Sequence, residues 1–316
     1  MNSLRLVLIG KTGAGKSKTG NTILNGGRHF PSSSQGSSLT NVCKLRDAIV
    51  FGKPISIVDT PGLLDTSKEE IEVLKEITRC IYVSAPGPHA IILVVVVGRF
   101  TAEDVYTVER FVKHFGENLF KYIIVAFTRF DDYKRDMEDS GIIEFDIKTY
   151  VSTLPGPVKE FINDKCYARV IGIDNTLKGT ESEKQVQQLL TLVDDIKREN
   201  SNTFYTNDDY KKAEKQVKDD MRIEEERLKI ILEAEKERIQ KEIEQAADEK
   251  AKKQIQDKMD AFEREMIIKL QESNIRKEVQ QNTGEGFIKF SQISSLLTSL
   301  ASIGLKGVKY YSKYNK

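Results

Sequence analysis

The chain has only three cysteines in 316 residues, Cys43, Cys80 and Cys166, and none has the spacing of a zinc site. An odd, scattered set speaks against a disulfide framework. The three read as buried free thiols in a reducing compartment. An excess of one charge is also missing. The 49 basic and 48 acidic side chains leave a formal net charge of +1, so no strong field selects nucleic acid as a partner. Long hydrophobic runs are missing as well. "HAIILVVVV" is too short to cross a bilayer as a helix, and the apolar part of "MNSLRLVLIG" is too short for a signal peptide. A cytoplasmic protein is expected. Between residues 208 and 282 glycine and proline are absent altogether, which removes the usual helix breakers from that region.

Up to about residue 200, apolar runs alternate with helical patterns. Strands are expected at Leu4–Ile9, Val42–Phe51, Ile55–Val58, Ala90–Val97, Tyr122–Phe127 and Ala168–Ile173. Several are apolar throughout, as strands covered on both faces are. Helices are expected at Lys16–Leu24, Lys68–Val83, Ala102–Phe115 and Glu183–Arg198. Thr101 and Asp104 form a cap-like start to the third of these. The alternation predicts an α/β fold with a mainly parallel six-stranded sheet flanked by helices. The second and third strands, joined by a tight "GKP" turn, are expected to form an antiparallel hairpin.

Residues 201–283 read as a charged, coiled-coil-like helical extension. A narrow apolar stripe runs through Tyr210, Ala213, Val217, Met221, Leu228, Leu232, Ile239, Ile243 and Ala246. After a phase slip it resumes at Ala251, Ile255, Met259, Phe262, Met266 and Leu270. Its period is nearer 11/3 than 7/2, which argues against a regular leucine zipper. A solvated helix leaning on the first domain and a self-association helix both fit. Residues 284–316 form a third part. Within it, 286–316 places Phe290, Ile293, Leu297, Leu300 and Val308 on one helical face, with hydroxyls and lysines opposite. That pattern fits either a helix docked on the protein's own surface or one lying in a membrane interface.

"GKTGAGKS", residues 10 to 17, satisfies G-x-x-x-x-G-K-[ST] in full, after a strand and at the start of a helix. This is a phosphate loop. The stretch Gly10, Lys11, Thr12, Gly13, Ala14, Gly15, Lys16, Ser17 and Lys18 would cradle a nucleotide's phosphates. Lys16 would bridge the β- and γ-phosphates, and Ser17 would hold Mg²⁺. In "SIVDTPGLLDT", Asp59 has the place of the second magnesium carboxylate, and Gly62 could offer its N–H to the γ-phosphate. Thr60 stands where ATPases often carry an acid, so D-x-x-G favours GTP and GDP over adenine nucleotides. The polar loop "SSSQGSSLTNVC" lies between the two motifs. Thr40 is selected from it as a second magnesium-ligating hydroxyl, with Ser37 and Ser38 as competitors. Leu63 occupies the position where water-activating GTPases often have glutamine, so the isolated chain is expected to hydrolyse slowly. Arg99 leaves the end of the fourth strand, on the sheet edge where ligands bind. It is the candidate for stabilising transition-state charge, in cis or across a dimer, with a surface ion pair as the alternative. In "FTRFDD", Asp131 can accept from the N1–H and 2-amino group of guanine, and Arg129 has a long stem that can cover the base. Thr128 has a hydroxyl that can brace the loop.

"GKTGAGKS", "SLT", "DTPGLLDT", "PGPHAIILVVVVGRFTAED" and "FTRFDD" together resemble the GIMAP family, the GTPases of immunity-associated proteins, related to septins and chloroplast import GTPases. The resemblance covers residues 1 to about 200. It implies a P-loop GTPase domain that uses GTP and Mg²⁺ and dimerises or oligomerises across the nucleotide face. It also implies a helical C-terminal extension and frequent peripheral association with an intracellular membrane. By position it places Asn175, in "GIDN", at the guanine base, with Asp174 beside it.

Overall fold

A computed structural model describes residues 3–31, 42–65, 70–142, 146–245 and 249–281. These form two compact units, the first ending at Lys211 and the second beginning at Lys212.

The first unit is built on six strands: β1 (Leu4–Ile9), β2 (Lys44–Val50), β3 (Lys53–Asp59), β4 (Ala90–Val96), β5 (Ile123–Thr128) and β6 (Val170–Ile173). Their order is β2-β3-β1-β4-β5-β6, with only β2 antiparallel. The uniformly apolar strands occupy the middle. Leu6, Leu8, Ala90, Ile92, Leu93, Val94 and Ile123–Phe127 are all fully buried, as the central strands of a sheet covered on both faces must be. The hairpin turn lies one residue earlier than "GKP" suggests. Phe51 and Gly52 form it with φ of 49° and 74°, and Lys53 and Pro54 already belong to β3. Two consecutive positive φ values match the twist of an antiparallel pair.

Helices α1 (Lys16–Ile23), α2 (Glu70–Ser84), α3 (Ala102–Phe115) and α7 (Gly179–Glu199) correspond to the four periodic segments. The expected cap of α3 is present in both directions. Asp104 N donates to Thr101 Oγ1 at 3.3 Å, and Thr101 N donates to Asp104 Oδ2 at 3.0 Å. Between β5 and β6 the described residues include three short α-helices that periodicity does not announce: α4 (Phe130–Asp139), α5 (Ile147–Thr153) and α6 (Gly156–Glu160). Each is too short to carry a legible apolar stripe.

The first unit closes at the N-terminal ends of its strands, opposite the phosphate loop. Arg5 Nε donates to the Gly87 carbonyl at 2.6 Å, and its guanidinium lies 4.7 Å from the Phe204 ring centre. Tyr205 N donates to the Pro88 carbonyl at 2.8 Å. His89 is buried in this knot. Its Nδ1 accepts from Arg5 N at 3.0 Å, which requires the neutral ring. Burial, helped by the charges of Arg5 and Lys197, lowers its pKa from 6.5 to about 3. A folded pKa below the unfolded one means stability is complete above pH 6.5 and is lost as pH falls toward 3. We expect about 2 kcal/mol to disappear between pH 6.5 and pH 5. Asparagine can keep an acceptor near Nδ1 without titrating. Thermal unfolding of His89→Asn should therefore lose less stability over that interval than the parent chain does, and an equal loss would refute this account.

Beyond Lys211, α8 (Asp208–Gln245) continues, followed by α9 (Glu249–Lys269) and α10 (Glu272–Gln281). The extension is not one long helix. The arms on either side of the phase slip run in opposite directions. Lys236 pairs with Glu263 at 3.3 Å, and Arg276 holds Glu214 through two bonds of 3.0 and 2.6 Å, so the arms run antiparallel. Val217, Met221, Leu228, Ile239, Met259 and Met266 are buried, so the expected stripe is the buried face. Residues 284–316 lie outside the described residues, and with them the proposed interfacial helix.

Candidate functional site

The phosphate loop joins β1 to α1 at the C-terminal edge of the sheet. Gly10 is required there: a Cβ would sit 2.3 Å from the Val94 carbonyl oxygen, which is backbone of β4. Gly15 adopts φ 98° at the start of α1, a left-handed conformation that favours glycine. The positive end of the α1 dipole thus opens into the loop. Lys16 is 94% buried, and its Nζ donates to the carbonyls of Gly10 at 3.0 Å and Lys11 at 2.9 Å. The ammonium lies across the loop mouth.

Ser17 Oγ donates to Asp59 Oδ2 at 2.6 Å, and Asp59 is fully buried at the end of β3. These two hard oxygen donors suit Mg²⁺, which takes one or two protein oxygens and leaves its other positions to water and phosphate. The pair therefore fits the ion. Thr40, Ser37 and Ser38 lie outside the described residues. Thr60 is buried and its hydroxyl donates to the Leu8 carbonyl at 2.6 Å, which braces β1. Gly62 lies so close to the phosphate loop that a Cβ would meet Thr12 Oγ1 at 2.4 Å. Leu63 and Leu64 are buried.

The end of β5 meets the phosphate loop through Thr128. Thr128 Oγ1 donates to the Ala14 carbonyl at 2.7 Å and to that of Val95 at 3.1 Å. The hydroxyl therefore ties β5 to the phosphate loop. Arg129 is exposed, with φ 57°. Asp131 falls in the first turn of α4, where the helix dipole favours a negative charge. Its side chain is 26% exposed, and Arg135 approaches it only to 4.0 Å. Asn175 is turned toward α1: its Oδ1 accepts from Thr22 Oγ1 at 2.8 Å, and its Nδ2 donates to Thr19 Oγ1 at 3.2 Å. Asp174 accepts from Thr176 N at 2.7 Å in a local turn.

A cleft of about 400 Å³ opens beside the loop, lined among others by Gly10, Ala14, Val94, Arg99, Asp104 and Arg129. Arg99 is exposed on its rim. Among the described residues its side chain makes no hydrogen bond or ion pair. Two acids that the motifs do not announce grip the loop from outside. Asp65 accepts from Thr12 N at 2.9 Å and from Thr12 Oγ1 at 2.5 Å. Asp104 forms an ion pair with Lys11. Asp104 was legible as a helix cap; its second partner lies more than ninety residues away in the chain.

A parallel sheet with a phosphate loop at its C-terminal edge, a buried Ser-Asp pair beside it and a guanine-type motif on the next strands defines a P-loop nucleotide-binding protein. The AIG1 family model matches residues 4–227, and the chain belongs to that family. It is 34% identical over 210 residues to GTPase IMAP family member 8 of Mus musculus, covering 64% of this chain and 29% of that protein. It is 33% identical over 210 residues to immune-associated nucleotide-binding protein 7 of Arabidopsis thaliana, covering 65% of this chain and 64% of that protein. The chain thus spans less than two thirds of the length of either relative. Among solved structures, Toc33 from Arabidopsis thaliana in complex with GDP and Mg²⁺ matches with a TM-score of 0.41 and 18% identity, covering 62% of this chain and 84% of that one.

Proposed function

We propose that this protein binds GTP and GDP with Mg²⁺, hydrolyses GTP slowly alone, and uses the nucleotide to control pairing of two copies through the nucleotide face. In this reading residues 1–200 are the GTP-binding domain, 201–283 a helical extension and 284–316 a tail that touches the surface of an intracellular membrane. The names of the relatives, a GTPase and a nucleotide-binding protein, support the substrate class. Residues Gly10 to Lys18 hold the phosphates, Ser17, Asp59 and Thr40 hold Mg²⁺, and Gly62 meets the γ-phosphate. Thr128, Arg129, Asp131 and Asn175 form the base end. The observation that carries the reading is Arg99: exposed, without a side-chain partner among the described residues, on the rim of the cleft beside the phosphate loop. A cation left unengaged there is available to phosphate charge, its own or that of a second copy.

Single-turnover GTP hydrolysis at low and high protein concentration tests this. The rate should rise with concentration, and Arg99→Ala should lower it by about 10³-fold at the high end. A buried Leu63 favours the second reading, a GTP-regulated scaffold whose helices bind partners. That reading wins if GTP binds and no concentration gives hydrolysis. Flotation of the full chain and of a chain ending at residue 283 on anionic liposomes tests the tail. Equal recovery in the lipid fraction would remove the membrane from the proposal.

A further inference from the structure

The turn that carries Arg99 is held at both ends. After β4, Val97 N donates to the Thr128 carbonyl and Arg99 N to that of Val96, each at 3.0 Å, with Gly98 between them at φ 73°. On the far side, Thr101 N and Oγ1 donate to Asp104 Oδ2 at 3.0 and 3.1 Å, and Asp104 pairs with Lys11 of the phosphate loop. On the near side the tie is a single side chain. Gly98 N–H donates to Tyr150 Oη at 2.7 Å.

Tyr150 belongs to α5, whose start is capped by Asp146 accepting from Thr149 N at 2.7 Å. The ring is buried in an aromatic cluster. It meets Phe127 edge-on at 5.1 Å, Tyr133 at 4.9 Å and Phe130 at 6.5 Å. Phe130 is the third residue of Thr128-Arg129-Phe130-Asp131, and it is pressed so firmly on β6 that a Cβ on Gly172 would fall 2.5 Å from its ring. The packing needs only a ring. Phenylalanine would fill the same space, and the hydroxyl adds one thing, the bond to the amide next to Arg99.

We infer that Tyr150 is the positioning residue of Arg99 and ties the arginine turn to the loop that reads the base. The inference rests on the proposed role of Arg99. When the base loop is ordered by guanine, Phe130, Tyr133 and Tyr150 are held as one cluster, and the hydroxyl then fixes Gly98. Burial pushes the Tyr150 hydroxyl above the usual phenol range, so it stays protonated and neutral and offers Gly98 an uncharged acceptor throughout the working pH range.

The test uses Tyr150→Phe in the full chain with Mg²⁺ and GTP. Losing this one bond should lower single-turnover hydrolysis about three- to tenfold at high protein concentration, with GDP affinity within about twofold. In an Arg99→Ala background the second substitution should change nothing further. Hydrogen exchange supplies a readout independent of catalysis. GDP should slow exchange at Gly98 in the parent chain and have little effect on it in Tyr150→Phe. An equal fall in rate in the Arg99→Ala background overturns the inference, as does Gly98 exchange that ignores both nucleotide and substitution. If Arg99→Ala alone leaves the rate unchanged, the assignment of Arg99 fails. The exchange measurement then decides for or against Tyr150 by itself.

Discussion

Asp131→Asn should weaken GTP binding by about 10²-fold or more and shift preference toward xanthosine triphosphate. Guanine presents two donors on one edge, N1–H and the 2-amino group, and a carboxylate accepts both. Hydrogen bonds to a charged group contribute roughly 1.5–3 kcal/mol each, so losing one acceptor of the pair is severe. Asparagine keeps the shape and turns one oxygen into a donor, which suits the 2-oxo group of xanthine. The surroundings of Asp131 support this role. It lies in the first turn of α4, Arg135 approaches it only to 4.0 Å, and the side chain is partly open. Asp132, one residue later, is half exposed and 3.8 Å from the same Arg135. Competition of GTP, GDP and xanthosine triphosphate against a fluorescent guanine nucleotide measures the effect. An unchanged order of preference would remove Asp131 from the base site.

Lys16→Ala should lower affinity for GTP by about 10²–10³-fold, with a smaller loss for GDP. The ammonium is the buried cation of the loop, and its resting bonds go to two carbonyls of that loop, Gly10 and Lys11. Bonds from an ammonium to phosphate oxygens are charge-assisted and about twice as strong as neutral ones. Two of them amount to about 3–5 kcal/mol, and each 1.4 kcal/mol is tenfold in affinity. The fold should survive, because Gly10 and Gly15 set the course of the loop and Thr128 braces it at Ala14. Titration calorimetry with GTP and GDP tests both points. Equal losses for the two nucleotides would show that Lys16 does not distinguish the γ-phosphate. Unaltered binding would show that it holds only the loop.

Much of this architecture is legible locally, because the signals are local. A strand covered on both faces must be apolar throughout, so "AIILVVV" announces β4 and its central place. A helix with one buried face repeats its apolar residues every three or four positions, so α2, α3 and α7 are visible. A loop that wraps phosphate needs glycine where the backbone turns, so "GKTGAGKS" is readable as it stands. The Thr101–Asp104 cap needs only three residues of separation. The helices between β5 and β6 escape this reading, since five to ten residues carry too few turns to show a stripe. The reversal of the extension shows in the sequence only as a phase slip; the ion pairs Lys236–Glu263 and Arg276–Glu214 give it direction.

The amino-acid sequence alone carries the phosphate-loop pattern of Gly10 to Ser17, the D-x-x-G stretch that begins at Asp59 and the Thr-Arg-x-Asp stretch of Thr128 to Asp131. Each is a contiguous motif or a single residue placed by one. Tertiary structure decided what each residue touches. It put Thr128 on Ala14, Asp65 on Thr12, Asp104 on Lys11, Asn175 on Thr19 and Thr22, and Tyr150 on Gly98. It also left Arg99 without a side-chain partner among the described residues. These pairs are 52 to 156 residues apart. No local periodicity encodes contacts over such distances. They exist because a parallel sheet brings the C-terminal ends of β1, β3, β4 and β5 to one edge, where loops far apart in sequence become neighbours.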